Sequence, residues 1–219
     1  RIDGAGKKVT RSDNCRVSDL SVSSDNLTFT YEAKSLPYPI DTSYYDNEKH
    51  TQADALSVIP FMDEMNYEGL SVSGLSDGYY GLTIGGEFIG RFTARELERG
   101  INMALLQNTP QYKQAMKIRQ MNEERWLKER KMREFYWVEY NLMRKTGMLW
   151  ACNEAAVDTL RKYRPHDIFL QWNGALWLQY MHKGIREDCV NEQQDLVNQI
   201  YEQNKPIPLQ IEIKKFTDL

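Results

Sequence analysis

Residues 77–110, DGYYGLTIGGEFIGRFTARELERGINMALLQNTP, decide the fold of this chain. Residues 79–84 and 87–92 are rich in side chains that favour β-strands, and Gly85-Gly86 between them can adopt the positive φ of a two-residue turn. This pattern predicts a β-hairpin. Nearly everything before the stretch has the alternation and turn residues of strands and loops, and nearly everything after it has helical spacing.

The same stretch marks where the helices begin. Thr93 stands three residues before Glu96, which is the spacing of a capping box, and Gly100 is suited to end the short helix that follows. An Asn-Thr-Pro sequence then predicts the start of the next helix. No helix-breaking residue follows until Gly147, so we expect one long helix over residues 110–148.

The segments outside this stretch extend both patterns. Residues 17–22 and 27–31 alternate around a turn and predict another hairpin, and residues 208–216, PLQIEIKKF, predict a final strand. Further helices are expected over residues 153–163 and 185–204.

Between these last two helices, residues 167–182 are dense in aromatic side chains, and Gly174 and Gly184 are expected to interrupt the helical structure there.

The predicted fold class is therefore α+β. We expect an antiparallel, sandwich-like or half-barrel β part over residues 1–92 and a helical part with one long helix over residues 93–205. The final strand, within residues 206–219, is expected to return to the β part, so that both halves form one cooperative unit.

Composition limits the possible partners. The chain has 219 residues, of which 41% are apolar and 27% charged, and no apolar run approaches the length of a membrane span. The net charge is −3. Residues 111–145 hold ten Lys/Arg and five Asp/Glu, but both signs are interleaved, as on a solvated helix or one docked on an acidic surface. We therefore expect neither a nucleic-acid partner nor a membrane span.

Residues 74–115 carry a resemblance to a known family. Their motifs are a strand G-x-Y-x-L-x-I-x-G, then F-x-A-x-E-L-x-x-G-x-N-L-A with Met103 at the usual leucine position, then T-P-x-x-x-Q-A. This run resembles the region downstream of the catalytic domain in bacterial SGNH/GDSL-type hydrolases. Upstream segments resemble the same family at residues 15–20 (CRVSDL), 27–30 (LTFT) and 35–41 (SLPYPID). Residues 116–205 are similar only in character.

The resemblance implies part of a secreted or periplasmic bacterial esterase that acts on acylated carbohydrate. Such an enzyme needs a serine in a GDS block and a histidine in a D-x-x-H block. This sequence contains neither block, so we assign no catalytic residue and expect the machinery in a domain that precedes Arg1. The chain begins with Arg1 and shows no signal sequence, so we expect a processed chain, an engineered fragment or part of a longer protein, and the resemblance favours the last of these. Its expected role is accessory: it completes the fold or covers the catalytic cleft.

The metal-ligating and thiol side chains form no recognisable motif. His50, His166 and His182 are far apart in sequence, so we predict no metal site and no cofactor. The cysteines at positions 15, 152 and 189 are odd in number and contain no C-x-x-C. We expect small, buried apolar residues there, and a Cys152–Cys189 pair remains an open alternative.

Four residues are candidate ligand contacts. Tyr44, Tyr45 and Trp172 lie in weakly periodic segments where aromatic rings could stack on a sugar, which makes a carbohydrate-binding module one alternative function. Asn102 lies in the G-x-N-x-A motif, where it either satisfies loop backbone groups or shapes the cleft beside a catalytic domain. A helical interaction or dimerisation module built on residues 110–148 is the other alternative.

Overall fold

The computed structural model describes residues 1–43 and 49–216. Two compact units make up the chain. The first consists of Arg1–Arg119 together with Gln203–Leu219, and the second of Gln120–Glu202. The first unit contains the strands and short helices, and the second is helical.

The described strands all belong to the first unit. They are β1 (Ile2–Asp3), β2 (Lys8–Val9), β3 (Cys15–Val22), β4 (Asn26–Ala33), β5 (Gly69–Leu70), β6 (Val72–Ser73), β7 (Tyr79–Ile84), β8 (Glu87–Thr93), β9 (Ile101–Asn102) and β10 (Leu209–Lys215).

The main sheet is antiparallel, with five strands in the order β3-β4-β10-β7-β8. The final strand β10 is its centre: Ile211 lies opposite Phe29 of β4 on one side and Ile84 of β7 on the other. These three side chains are buried. The predicted return of the C-terminal strand is confirmed, because alternation in PLQIEIKKF directs its apolar residues to the core.

The β7–β8 hairpin is also confirmed. Gly85 and Gly86 turn the chain with φ values of 59° and 83°, a conformation that residues with a Cβ adopt only with strain. The capping box follows as predicted: Thr93 Oγ1 accepts a bond from the Glu96 backbone N–H, and a Glu96 carboxylate oxygen accepts one from the Thr93 N–H. Gly100 ends the helix with φ 97°.

Two small sheets complete the first unit, in the orders β2-β1-β6 and β5-β9. The β1–β6 pair is parallel and the other pairs are antiparallel. The small β2-β1-β6 sheet and the main sheet contribute side chains to one core cluster, which includes Ile2, Val72, Phe29, Leu82 and Ile211. The mixed α+β class is confirmed, while a sandwich arrangement of the sheets stays a prediction.

The described α-helices are α1 (Phe61–Glu64), α2 (Ala94–Arg99), α3 (Pro110–Val138), α4 (Glu154–Tyr163), α5 (Ile168–Tyr180) and α6 (Lys183–Gln203). A π-helical segment, Glu139–Met143, follows α3. Short 3-10 segments are present at Gln52–Ser57, Met103–Leu105 and Arg164–His166.

The helical unit has its own core, formed by apolar side chains of α3, the π segment, α4, α5 and α6, including Phe135, Leu142, Leu160, Trp177 and Cys189. The predicted long helix is present, but its α-helical part ends at Val138 and the chain continues as the π segment.

The predicted interruption at Gly174 is wrong, because α5 runs through it. A Cβ at Gly174 would lie 3.2 Å from Arg164 Cδ and 3.4 Å from Leu160 Cδ1. The glycine therefore allows close packing rather than a break. Gly184 also lies inside a helix, α6, and the interruption is at residues 181–182 instead.

Candidate functional site

The first unit contains a partly open cavity of about 450 Å³. Three parts of the chain contribute to its lining. They are β4 with Phe29 and Tyr31, the segment just before β5 with Tyr67 and Glu68, and the end of α2 with Arg99. This volume is in the range of small-molecule sites, and the lining combines aromatic surface with a few polar groups, as such sites usually do.

Two acidic residues line this cavity, Asp13, which pairs with Arg11, and Glu68, which is held by neutral donors. Glu68 Oε1 accepts a bond of 2.9 Å from the Tyr31 hydroxyl, and both carboxylate oxygens lie 3.3 Å from Gln111 Nε2, which donates to them. Burial raises the pKa of Glu68, whereas the bonds from Tyr31 and Gln111 favour the charged form and lower it. Burial and the neighbouring Glu68 carboxylate raise the pKa of Tyr31 well above its usual value.

Gln111 adds an unusual feature to this cluster. The residue is buried, and within residues 1–43 and 49–216 its Oε1 has no hydrogen-bond partner. Because a buried acceptor without a partner is unfavourable, this cluster is less completely satisfied than an ordinary core.

Asn102 lies beside the same cluster and organises the backbone around it. Its Oδ1 accepts bonds from the backbone N–H groups of Glu68 and Ala104, at 2.9 and 3.1 Å. Its Nδ2 donates to the carbonyl oxygens of Met62 and Asn66, at 2.8 and 3.1 Å. All of these bonds support loop backbone, and one of them fixes the residue that carries the cavity carboxylate.

The segment that leads to Tyr44 and Tyr45 is well anchored as far as the structure describes it. Asp41 pairs with Arg119, and its Oδ1 accepts a bond from the Ser43 N–H at 2.8 Å. The bonds from Ser43, followed by that from Arg119, lower the pKa of Asp41 to about 2. Tyr44 and Tyr45 themselves lie outside the described residues.

Trp172 lies in the second unit, on α5, and is 66% exposed. Its ring packs edge-to-face on Phe169 at 5.5 Å, and Phe169 in turn packs on Trp137 at 5.3 Å. The Trp172 ring thus packs against Phe169, while most of its surface faces solvent. The candidate contacts Trp172 and Asn102 belong to different units of the chain.

The second unit also buries a carboxylate. Glu139 begins the π segment and is 1% exposed. Its Oε1 accepts a bond of 2.7 Å from Trp177 Nε1, and its Oε2 accepts one of 2.8 Å from the Trp150 backbone N–H. Trp150 has φ 64° and its ring packs on Phe135. Glu139 therefore ties a strained turn to the helical core.

The histidines and cysteines form no metal centre in the described part of the chain, where no group of three or more metal-ligating side chains occurs. His182 Nδ1 lies 3.3 Å from Cys152 Sγ. The expectation that the cysteines are buried holds for Cys189 alone: Cys15 is partly buried and Cys152 is exposed, since it lies in the irregular segment before α4. All three are free thiols.

Sequence reasoning did not identify Glu68, Tyr31 and Gln111, or the role of Glu139. The sequence offers one weak indication of Glu68, which is a charged residue directly before a strand. Its hydrogen-bond partners Tyr31 and Gln111 are separated from it by 37 and 43 residues, so the sequence does not indicate them. Glu139 appears in the sequence as one more acid on a charged helix.

The comparison with protein families agrees with the division of the chain into two compact units. Residues 116–205 match the model of a family described as the diltiazem deacetylase C-terminal helical domain. The match covers less than half of the chain and includes the whole second unit, Gln120–Glu202. Among curated proteins, no sequence matches the chain.

A solved structure gives a more extensive match. It is that of BT4096, a gut microbial diltiazem-metabolizing enzyme, with 34% sequence identity and a TM-score of 0.91. The match covers 98% of this chain and 49% of that one, so the present chain spans about half the length of that enzyme. The two proteins share the fold described above. Among the described residues, no helix has the combined length and apolar character needed to cross a membrane.

Proposed function

We propose that this chain is the C-terminal accessory part of a deacetylating serine esterase of the SGNH/GDSL type. The observation that carries the proposal is the match of 98% of this chain to half of a diltiazem-metabolizing enzyme. The helical unit matches a domain named for a deacetylase, which supports ester hydrolysis as the reaction. The motifs in residues 74–115 favour the SGNH/GDSL type.

In this proposal the Ser, His and Asp that perform the hydrolysis belong to polypeptide that precedes Arg1. The sequence supports this placement, since it has no GDS block and no aspartate three residues before any histidine. The accessory part would place the Glu68 cavity and the Asn102 loop beside the catalytic domain. The substrate would be an acetyl ester, either on a carbohydrate or on a small molecule of the kind metabolised by the matched enzyme. A secreted or periplasmic location is proposed from the family resemblance.

Hydrolysis of p-nitrophenyl acetate tests this proposal. Residues 1–219 and the longer protein encoded with them would be purified and assayed side by side, each with and without a serine-reactive fluorophosphonate. We expect hydrolysis by the longer protein alone, with inhibition by the fluorophosphonate. Serine-dependent hydrolysis by residues 1–219 would contradict the placement of the catalytic residues. Diltiazem and acetylated sugars, compared as substrates of the longer protein, would then identify the ester.

One observation favours a second candidate function, carbohydrate binding. Trp172 exposes 66% of its surface while one edge of its ring packs against Phe169, and an exposed indole can stack on a sugar ring. Saturable binding to a glycan panel that is lost in Trp172→Ala would support this function. Absence of binding to the whole panel would exclude it for Trp172.

A further inference from the structure

The cavity of the first unit reaches from the surface to the core. Its lining includes core side chains, among them Phe29, Met103 and Ile211, which are 2% exposed or less. It also includes two strongly exposed apolar residues, Met65 at 76% and Tyr67 at 57%. Large apolar side chains grouped on a surface mark a site of interaction, so this region is expected to have a partner.

The charged residues that line the cavity are mostly basic. They are the cations Arg1, Arg11 and Arg99 and the acids Asp13 and Glu68. Arg11 forms an ion pair with Asp13, which removes one charge of each sign. Among the residues that the structure describes, no acid forms an ion pair with the guanidinium groups of Arg1 and Arg99, and both arginines are exposed. A guanidinium group binds a carboxylate through two parallel hydrogen bonds, so the partner that fits this surface is acidic.

Arg1 also connects this surface to the polypeptide that precedes it in the proposed function. Its backbone is held next to β2, since the Arg1 nitrogen donates to the Arg11 carbonyl oxygen at 2.7 Å and the Thr10 N–H donates to the Arg1 carbonyl oxygen at 2.9 Å. The present chain covers 49% of the matched enzyme, so a comparable length remains for a catalytic domain. Such a domain is joined to the chain at the cavity itself, where its effective concentration is high enough for a weak interface to form.

We propose that the catalytic domain docks on this surface, with apolar side chains that cover Met65 and Tyr67 and with carboxylates that pair with Arg1 and Arg99. The inference rests on the proposed function for the existence of that domain, and it adds the surface that the domain contacts and the charge that it carries there. Docking would remove the apolar side chains from water. It would also give both guanidinium groups acidic partners, and this complementary charge fixes the orientation of the domain.

Oxidation of Met65 by hydrogen peroxide tests this docking in the longer protein. The rate of sulfoxide formation would be measured by mass spectrometry and compared with the rate in a synthetic peptide of residues 63–70, in which Met65 is the single methionine. We expect a rate at least about tenfold below that of the peptide, because only the undocked fraction of the protein reacts. A rate within about twofold of that of the peptide would overturn the proposal, since Met65 is largely exposed in the chain alone.

Arg99→Glu tests for the acidic partner, and Arg95→Glu is the matched control. Both arginines are exposed on α2, but Arg95 does not line the cavity. In the longer protein, Arg99→Glu should raise the oxidation rate of Met65 at least about fivefold, whereas Arg95→Glu should change it less than about twofold. Equal effects of the two substitutions would overturn the proposal. Thermal unfolding would verify that both variants are folded, and the comparison with the peptide requires no variant.

Two other outcomes separate the docking from its alternatives. Protection of Met65 that is lost on dilution would show that a second copy of the protein covers this surface, which would overturn the proposal. A fluorophosphonate label locates the reactive serine independently of Met65. A labelled serine before Arg1 with an unprotected Met65 would refute the docking alone. A protected Met65 without a reactive serine before Arg1 would refute the proposed function, while the docking of the preceding polypeptide would stand.

Discussion

Replacing Glu139 by alanine should destabilise the helical unit more than any surface substitution on α3. The carboxylate of Glu139 accepts bonds of 2.7 and 2.8 Å from Trp177 Nε1 and the Trp150 N–H. A hydrogen bond to a charged group contributes about 1.5–3 kcal/mol, so the loss of two would be about 3–6 kcal/mol. Removing a buried carboxylate that has no cation partner in the described residues offsets part of this loss. We therefore expect a net destabilisation of about 3 kcal/mol.

Tryptophan fluorescence during urea unfolding reports on the stability of the helical unit, because all five tryptophans of the chain lie within Gln120–Glu202. With a denaturant slope of about 1–3 kcal/mol/M, the expected loss lowers the urea midpoint by about 1–3 M. Glu139→Gln should have a smaller effect because it keeps one acceptor oxygen for one of the two N–H donors. Its NH2 group cannot accept from the other donor, so part of the loss remains.

Glu134→Ala is the matched control for this measurement. Glu134 lies on α3, shortly before the π segment, and forms a partly exposed i,i+4 pair with Arg130, so its loss should change stability by less than about 1 kcal/mol. The reasoning would be refuted if Glu139→Ala unfolded at the same urea concentration as Glu134→Ala. It would also be refuted if Glu139→Gln were less stable than Glu139→Ala.

Three further predictions concern the rest of the chain. The bonds from Ser43, followed by that from Arg119, lower the pKa of Asp41 to about 2. The charged carboxylate therefore stabilises the fold above its unfolded pKa, and this contribution is lost as the pH falls toward 2. The urea midpoints of the original chain and of Asp41→Asn should converge at acid pH. Ile211→Ala, at the fully buried centre of the main sheet, should destabilise the first unit by about 2–5 kcal/mol in circular-dichroism unfolding. Iodoacetamide should alkylate exposed Cys152 faster than buried Cys189 in the native protein, and equal native rates, measured by mass spectrometry, would contradict the structure.

Local sequence signals predicted much of the fold. The β7–β8 hairpin, the Thr93–Glu96 capping box and the final strand depend on residues a few positions apart, so the sequence alone contains the information. The class and the succession of strands followed from these elements.

Contacts between distant residues could not be predicted in this way. Glu68 contacts Tyr31 and Gln111 across sequence separations of 37 and 43 residues, which no local pattern encodes. Gly174 was expected to break a helix, as propensity favours, but the packing of Arg164 against it decides otherwise. The candidate site therefore depends on tertiary structure, and only Asn102 at its edge was apparent from a local motif.

The most direct test of the central claim is to locate the reactive serine. The longer protein that contains residues 1–219 would be labelled with a fluorophosphonate, digested and analysed by mass spectrometry. Our account predicts one labelled serine, in a peptide encoded before Arg1, and no label on any serine of the present sequence. A stoichiometrically labelled serine within residues 1–219, with loss of esterase activity on its replacement by alanine, would contradict the account.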